Sequence, residues 1–197
     1  MGVSLSKGQK INLEKPGGGA LTRVIMGLGW DAKKVQKKGF LGIGGGMQDQ
    51  AVDLDASCLL FDEAKNAVDA VWFKQLKSRD GSIIHTGDNR TGAGEGDDEQ
   101  IIVDLSMVPA NVKSLIFVVN SFTGQNFSQI ENATCRIVDA STNTEIAKYD
   151  LSMTGNHTAQ IMAKVYRHSG AWKMHAIGEI ASGRTFHDLL PAIQPHL

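Results

Sequence analysis

Short β-branched and aromatic runs, cut at intervals by glycine, aspartate and asparagine, limit what this chain can become more than any other feature. Thr22 to Gly29, Leu54 to Phe61, Val68 to Phe73, Ile101 to Leu105 and Leu115 to Val119 each carry strand-type residues. Ala133 to Val138, Glu145 to Leu151, Ala159 to His168 and Trp172 to Ile180 repeat the pattern. Turn residues separate them at Asp80-Gly81, Thr154-Gly155-Asn156 and Ser169-Gly170, the last predicting a hairpin with glycine at positive φ. With 22 glycines and only 4 prolines, the chain is rich in turns without resembling a proline-rich disordered segment. The expected fold is an all-β antiparallel β-sandwich, a single domain over residues 1–197. Arg184 to Leu190 predicts a short C-terminal helix stopping before Pro191. Val3-Ser4-Leu5 reads as an edge strand. The segment 33–50 couples a lysine cluster to Gly42, Gly44, Gly45 and Gly46, and is expected to be a mobile insertion without a regular element.

One turn region stands apart chemically. Gly87-Asp88-Asn89-Arg90-Thr91-Gly92-Ala93-Gly94-Glu95-Gly96-Asp97-Asp98-Glu99 alternates a freely shaped backbone with hard oxygen ligands. Carboxylates at that density repel, and a cation offsets the repulsion; calcium takes six to eight oxygens from flexible donors, whereas magnesium is stricter. The alternative is a solvated acidic hairpin loop. In the run from Asp53, residues Asp53, Asp55 and Ser57 share one strand face, with Leu54, Ala56 and Cys58 on the other. Like charges two residues apart on one face destabilise a strand unless neutralised. Asp31, at the end of an apolar run, could converge on the same edge; each aspartate taken singly could equally be a turn former or an exposed charge.

Several specific chemistries are excluded. Asp53-Leu54-Asp55 opens like an EF-hand loop, but Cys58 replaces the required glycine and Ala64 the bidentate glutamate. No Gly-Lys-Ser/Thr follows the glycine-rich loop, and its acids would repel a phosphate. Asp97 stands where a dinucleotide fingerprint needs its third glycine. Neither a His-Glu-x-x-His motif nor a Gly-x-Ser-x-Gly elbow occurs. The histidines lack ligand spacing, and His85, just ahead of Asp88, reads as a surface histidine or one supporting ligands from behind. A metal-dependent enzyme or small-ligand-binding protein using the same carboxylates remains the alternative to a non-enzymatic metal-binding module.

A net charge of −1 gives no basic platform for nucleic acid, and the aromatics fall in strand-like runs. Lys33, Lys34, Lys37 and Lys38 form the one concentrated positive patch. No apolar stretch approaches the about 18 residues of a membrane span, and no secretory pattern opens the chain. Met1-Gly2-Val3-Ser4-Leu5-Ser6 satisfies the permissive myristoylation pattern. Cys58 and Cys135 lie in apolar runs, as buried thiols do. A cytoplasmic protein is expected.

The assembled motifs resemble the TerD family of tellurium-resistance and stress-response proteins across nearly the whole chain. The resemblance is carried by Val3-Ser4-Leu5-Ser6-Lys7-Gly8, Gly27-Leu28-Gly29-Trp30-Asp31, Asp53-Leu54-Asp55-Ala56-Ser57, Ser78-Arg79-Asp80-Gly81-Ser82, His85 through Gly92, Gly96-Asp97-Asp98-Glu99, Tyr166-Arg167-His168 and Trp172-Lys173. The insertion and Val119-Asn120-Ser121-Phe122-Thr123-Gly124-Gln125 make it most similar to the TerZ branch. The resemblance implies a β-sandwich binding calcium, usually at two adjacent sites. Carried onto this chain, the side-chain ligands are Asp31, Asp53, Asp55, Asp88, Asp97, Asp98 and Glu99, with backbone oxygens near Asn89, Gly92 and Gly94. It further implies a non-enzymatic role in tellurite and stress tolerance beside other tellurium-resistance proteins, in a larger, membrane-associated complex.

Overall fold

Strand alternation sorts the side chains into an inner and an outer face, and the topology is two sheets closed over the inner one. The computed structural model describes residues 2–15, 17–32, 34–36, 47–49, 53–89, 96–150 and 155–197. Its elements are β1 (Val3–Leu5), β2 (Lys10–Asn12), β3 (Arg23–Ala32), β4 (Lys34–Gln36), β5 (Met47–Asp49), β6 (Leu54–Asp62), β7 (Ala67–Val71) and β8 (Ile83–His85). They continue with β9 (Glu99–Asp104), β10 (Val112–Ser121), β11 (Ile130–Asp139), β12 (Thr144–Asp150), β13 (Ala159–His168), β14 (Ala171–Ala181) and the helix α1 (Phe186–Ile193). One sheet runs β1-β12-β11-β3-β9-β8 and the other β2-β14-β13-β10-β6-β7. Pairing is antiparallel except at the edge, where β1 lies parallel to β12. The expected antiparallel β-sandwich is the observed fold, with the β1–β12 pair as its parallel exception.

Between the sheets, Val24, Met26, Leu28 and Trp30 of β3 meet Leu54, Ala56, Cys58 and Leu60 of β6 within one buried cluster that includes Phe117 and Cys135. A second cluster lies on the outer face of the β6–β10–β13 sheet, where Leu59, Phe61, Ile116, Val118 and Ile161 pack beneath Phe186, Leu189 and Ile193 of α1. The helix explains why β6 and β10 are apolar on both faces instead of alternating with polar residues. Both cysteines are buried free thiols.

The Ser169-Gly170 hairpin is present, with His168 opposite Ala171 and both turn residues at positive φ (50° and 81°). That is the turn geometry whose twist matches the strands.

Three expectations are corrected. The helix does not stop before Pro191 but runs to Ile193 with the proline inside it. Proline there gives up the bond to the carbonyl of exposed His187 and crowds that carbonyl, a cost offset by the burial of Leu189 and Ile193 on either side. In the segment 33–50, Lys34–Gln36 pairs antiparallel with Met47–Asp49, so a regular element does form; the glycines between them, and the mobility expected of the segment, lie outside the described residues. Trp72 and Phe73 do not continue β7; Trp72 turns back to bridge Gln75.

Leu189 is fully buried under the outer face of the sheet. Leu189→Ala should cost about 2–5 kcal/mol of unfolding free energy, measured by urea denaturation.

Candidate metal centre

The centre is built where β7 ends. Its last partner is Val71, opposite Cys58, so the amide of Ala56 two residues earlier on β6 has no neighbouring strand on that side. Glu99, the first residue of β9 in the other sheet, fills that position: its Oε2 accepts the Ala56 N–H at 2.7 Å. Its Oε1 accepts the Asn89 N–H at 3.1 Å, tying down the β8–β9 loop. His85 stands behind it with Nε2 at 3.3 Å from Oε2. The Gly87 amide donates to His85 Nδ1 at 3.1 Å, so Nδ1 is an acceptor, while Nε2 has no hydrogen-bond partner among the described residues. His85 and Glu99 are both buried.

In front of Glu99, one carboxylate oxygen from each of Asp53, Asp55 and Asp88 lies within 4.8 Å of the others. Asp55 is 5% exposed, and its Oδ2 has no hydrogen-bond partner among the described residues. Burial, followed by the charges of Glu99, Asp53 and Asp88, pushes its pKa up to about 8. Three hard oxygens from separate backbone positions fit one cation with ligand distances of about 2.3–2.6 Å, and a buried acceptor without a donor is what such an ion would satisfy.

Asp98 and Asp31 form a neighbouring group. Asp98 Oδ2 accepts the Trp30 N–H at 2.9 Å and Oδ1 the Asn89 side-chain amide at 2.9 Å. Burial raises the Asp98 pKa, the Trp30 hydrogen bond opposes that rise, and the charges of Asp31, Glu99 and Asp97 add to it. Gly29, Trp30, Asp31, Gly96, Asp98 and Thr134 line a cavity of about 270 Å³. Asn89, through its backbone to Glu99 and its side chain to Asp98, joins the two groups.

Asp97 points elsewhere. It lies on the outer face of β3 above Gly27, where Arg136 holds it in a two-pronged ion pair (Nε–Oδ1 2.7 Å, Nη2–Oδ2 3.1 Å) and Gln100 donates to Oδ2 at 3.0 Å. Arg136 and Gln100 are the strand partners of Gly27 on its two sides, so the clasp spans three strands. A Cβ at Gly27 would collide with the Asp97 carboxylate, and one at Gly29 would stand 2.6 Å from the Gly96 carbonyl. These glycines make the floor on which the loop lies. Of the sequence-predicted residues, the structure gathers Asp53, Asp55 and Asp88 into one cluster and Asp31 and Asp98 into another. It spends Glu99 and Asn89 on joining them and gives Asp97 to Arg136; Gly92 and Gly94 lie outside the described residues. Sequence reasoning missed Arg136, Gln100 and the reason for Gly27 and Gly29. Only the repeated Gly-x-Gly before Trp30 hinted at a close backbone approach.

The TerD domain matches residues 1–190. The chain belongs to the TerD family. It is 46% identical to the tellurium resistance protein TerZ of Serratia marcescens over 95% of this chain and 94% of that protein. General stress protein 16U of Bacillus subtilis is 44% identical, covering 90% of both chains. A crystal structure of a homologue of the telluride resistance protein TerD from Streptomyces coelicolor superposes with a TM-score of 0.65, at 20% identity over 84% of this chain and 92% of that one. That likeness establishes the shared TerD-family fold. The relatives' names place the family in tellurium resistance and stress response.

Two outcomes follow. Gly27→Ala should force Asp97 off Arg136 and destabilise the protein by about 1–3 kcal/mol, read from chemical denaturation. In chelator-treated protein the Asp55 carboxyl is protonated in the fold up to pH about 8, but ionises near its ordinary value when unfolded. Its contribution to stability is therefore complete below pH about 4 and shrinks as pH rises toward 8. Unfolding midpoints across that window should fall more steeply in wild type than in Asp55→Asn.

Proposed function

We propose that this chain is a calcium-binding, non-enzymatic module of a tellurium-resistance and stress-response system, acting in the cytoplasm beside other tellurium-resistance proteins. The observation that carries the reading is the Asp53–Asp55–Asp88 cluster, with its buried, unpartnered Asp55 Oδ2. A divalent ion there would replace mutual repulsion with attraction and release the proton that burial keeps on Asp55. The Asp31–Asp98 group would hold a second ion, with Asn89 and Glu99 coupling the two. Calcium is favoured over magnesium because the donors come from a strand, a long loop and a neighbouring strand end, an assembly suited to variable oxygen geometry. The names of relatives such as TerZ, TerD and TerX support the resistance context. No helix among the described residues is long and apolar enough to cross a bilayer.

Calcium at 100 times its dissociation constant should stabilise chelator-treated protein by about 2.7 kcal/mol, raising its melting temperature. Asp55→Asn should match or exceed wild type without calcium yet lose most of the calcium-induced rise. Glu63→Gln, at an exposed carboxylate just past the opposite end of β6, should keep it. An unchanged wild-type melt in millimolar calcium would reject the reading.

A further inference from the structure

We propose that Asn120 supplies a neutral amide oxygen to the cation held by Asp53, Asp55 and Asp88, so that the site draws on β10 as well as β6 and the loop. This inference rests on the metal reading above and adds a ligand that the acidic pattern does not contain.

Asn120 is the direct cross-strand partner of Asp55. Its neighbours Val119 and Ser121 therefore point to the opposite face, and the Asn120 and Asp55 side chains leave the sheet on the same one, with Cβ atoms about 4.5–5.5 Å apart. That face is the outer one, shared with Val118 and Leu59 beneath α1. Asn120 is 1% exposed. Its Nδ2 donates to the Gly183 carbonyl at 3.3 Å, and only the nitrogen of an amide can donate, so the position of the oxygen is fixed as well. That Oδ1 is buried and has no donor among the described residues. Two buried acceptors without donors, Asn120 Oδ1 and Asp55 Oδ2, thus sit on paired residues of adjacent strands. An amide oxygen and an ionised carboxylate oxygen cannot satisfy each other, whereas a cation satisfies both.

The residue type follows from the charge balance. Three carboxylates already exceed the charge of one divalent ion, and a fourth would add repulsion whenever the ion is absent. An amide oxygen adds a ligand without adding charge. Gly183 holds the amide from the other side: its carbonyl also accepts from Thr158 Oγ1 at 3.4 Å, and its N–H donates to the same hydroxyl at 3.1 Å. The segment entering α1 therefore orients the ligand.

The test is calorimetric calcium titration of full-length, chelator-treated wild type, Asn120→Ala, Asn120→Asp and Thr158→Val, with apo melting temperatures and circular dichroism recorded for each. Asn120→Ala should bind at the affected site at least about tenfold more weakly, a difference of about 1.4 kcal/mol, while its fold is retained. Asn120→Asp keeps an oxygen: its apo melting temperature should fall, while its calcium affinity and calcium-induced rise should equal or exceed wild type. Thr158→Val disturbs the Gly183 anchor but leaves Oδ1 in place, and should bind within about threefold of wild type. Wild-type affinity in Asn120→Ala, or equal weakening in the alanine and aspartate variants, would overturn the assignment and leave Asn120 a structural residue. If Asn120→Ala does not fold, the aspartate variant decides: retained affinity supports the ligand role and a tenfold loss overturns it. A wild-type protein that binds no calcium overturns the metal reading itself, a separate failure visible before any variant is compared.

Discussion

Glu99 is the contact on which the rest of this architecture depends. It opens a strand of one sheet, yet its carboxylate caps an open backbone amide of the other, at Ala56, and also takes the Asn89 amide from the loop. A buried carboxylate is costly unless it has donors, and here two backbone N–H groups, of Ala56 and Asn89, supply them. The sandwich is thereby pinned at the end where β7 stops, and the loop is pinned at the same point. The aspartates converge because their carriers, the start of β6 and the loop after β8, are both fastened to one side chain.

A second fastening acts from the opposite side of the loop. Asp97 and Glu99 are two apart, with Asp98 between them, and they anchor in different places: Asp97 to Arg136 on the outer face of β3, Glu99 in the seam between the sheets. Asp98, held between these anchors, turns to the Trp30 amide beside Asp31. Three consecutive acids therefore divide two jobs among them. Two hold the loop in place, and the middle one faces the cavity with Asp31. Burial first, and the charges of Glu99, Asp53 and Asp88 after it, raise the Asp55 pKa as the cost of that arrangement.

The helix α1 fits the same logic. By covering the outer face of the β6–β10–β13 sheet it buries Leu59, Phe61, Ile116 and Val118. Ahead of it, Gly183 accepts a hydrogen bond from Asn120, next to Asp55 in the sheet. The core and the acidic cluster thus share strands β6 and β10: the middle of each strand packs under the helix, and one end carries the polar residues.

Much of this was legible in the chain. The β-branched runs and their turn residues specified a two-sheet antiparallel fold, because strand periodicity and positive-φ turns are local properties that each segment carries by itself. The Asp53/Asp55 face and the glycine–aspartate loop were legible for the same reason, as was the likeness to the TerD family. What only the tertiary structure decided was the division of labour among the acids. Nothing local distinguishes Asp97 from Asp98. Their difference comes from Arg136 and Gln100, which reach Asp97 only after β9 and β11 flank β3, and from the absence of side chains at Gly27 and Gly29, which gives the loop room to lie down. The course of α1 through Pro191 and the pairing of Lys34–Gln36 with Met47–Asp49 likewise overrode local preference. Burial of Leu189 and Ile193 against the sheet favours continuing the helix, an interaction no segment carries alone.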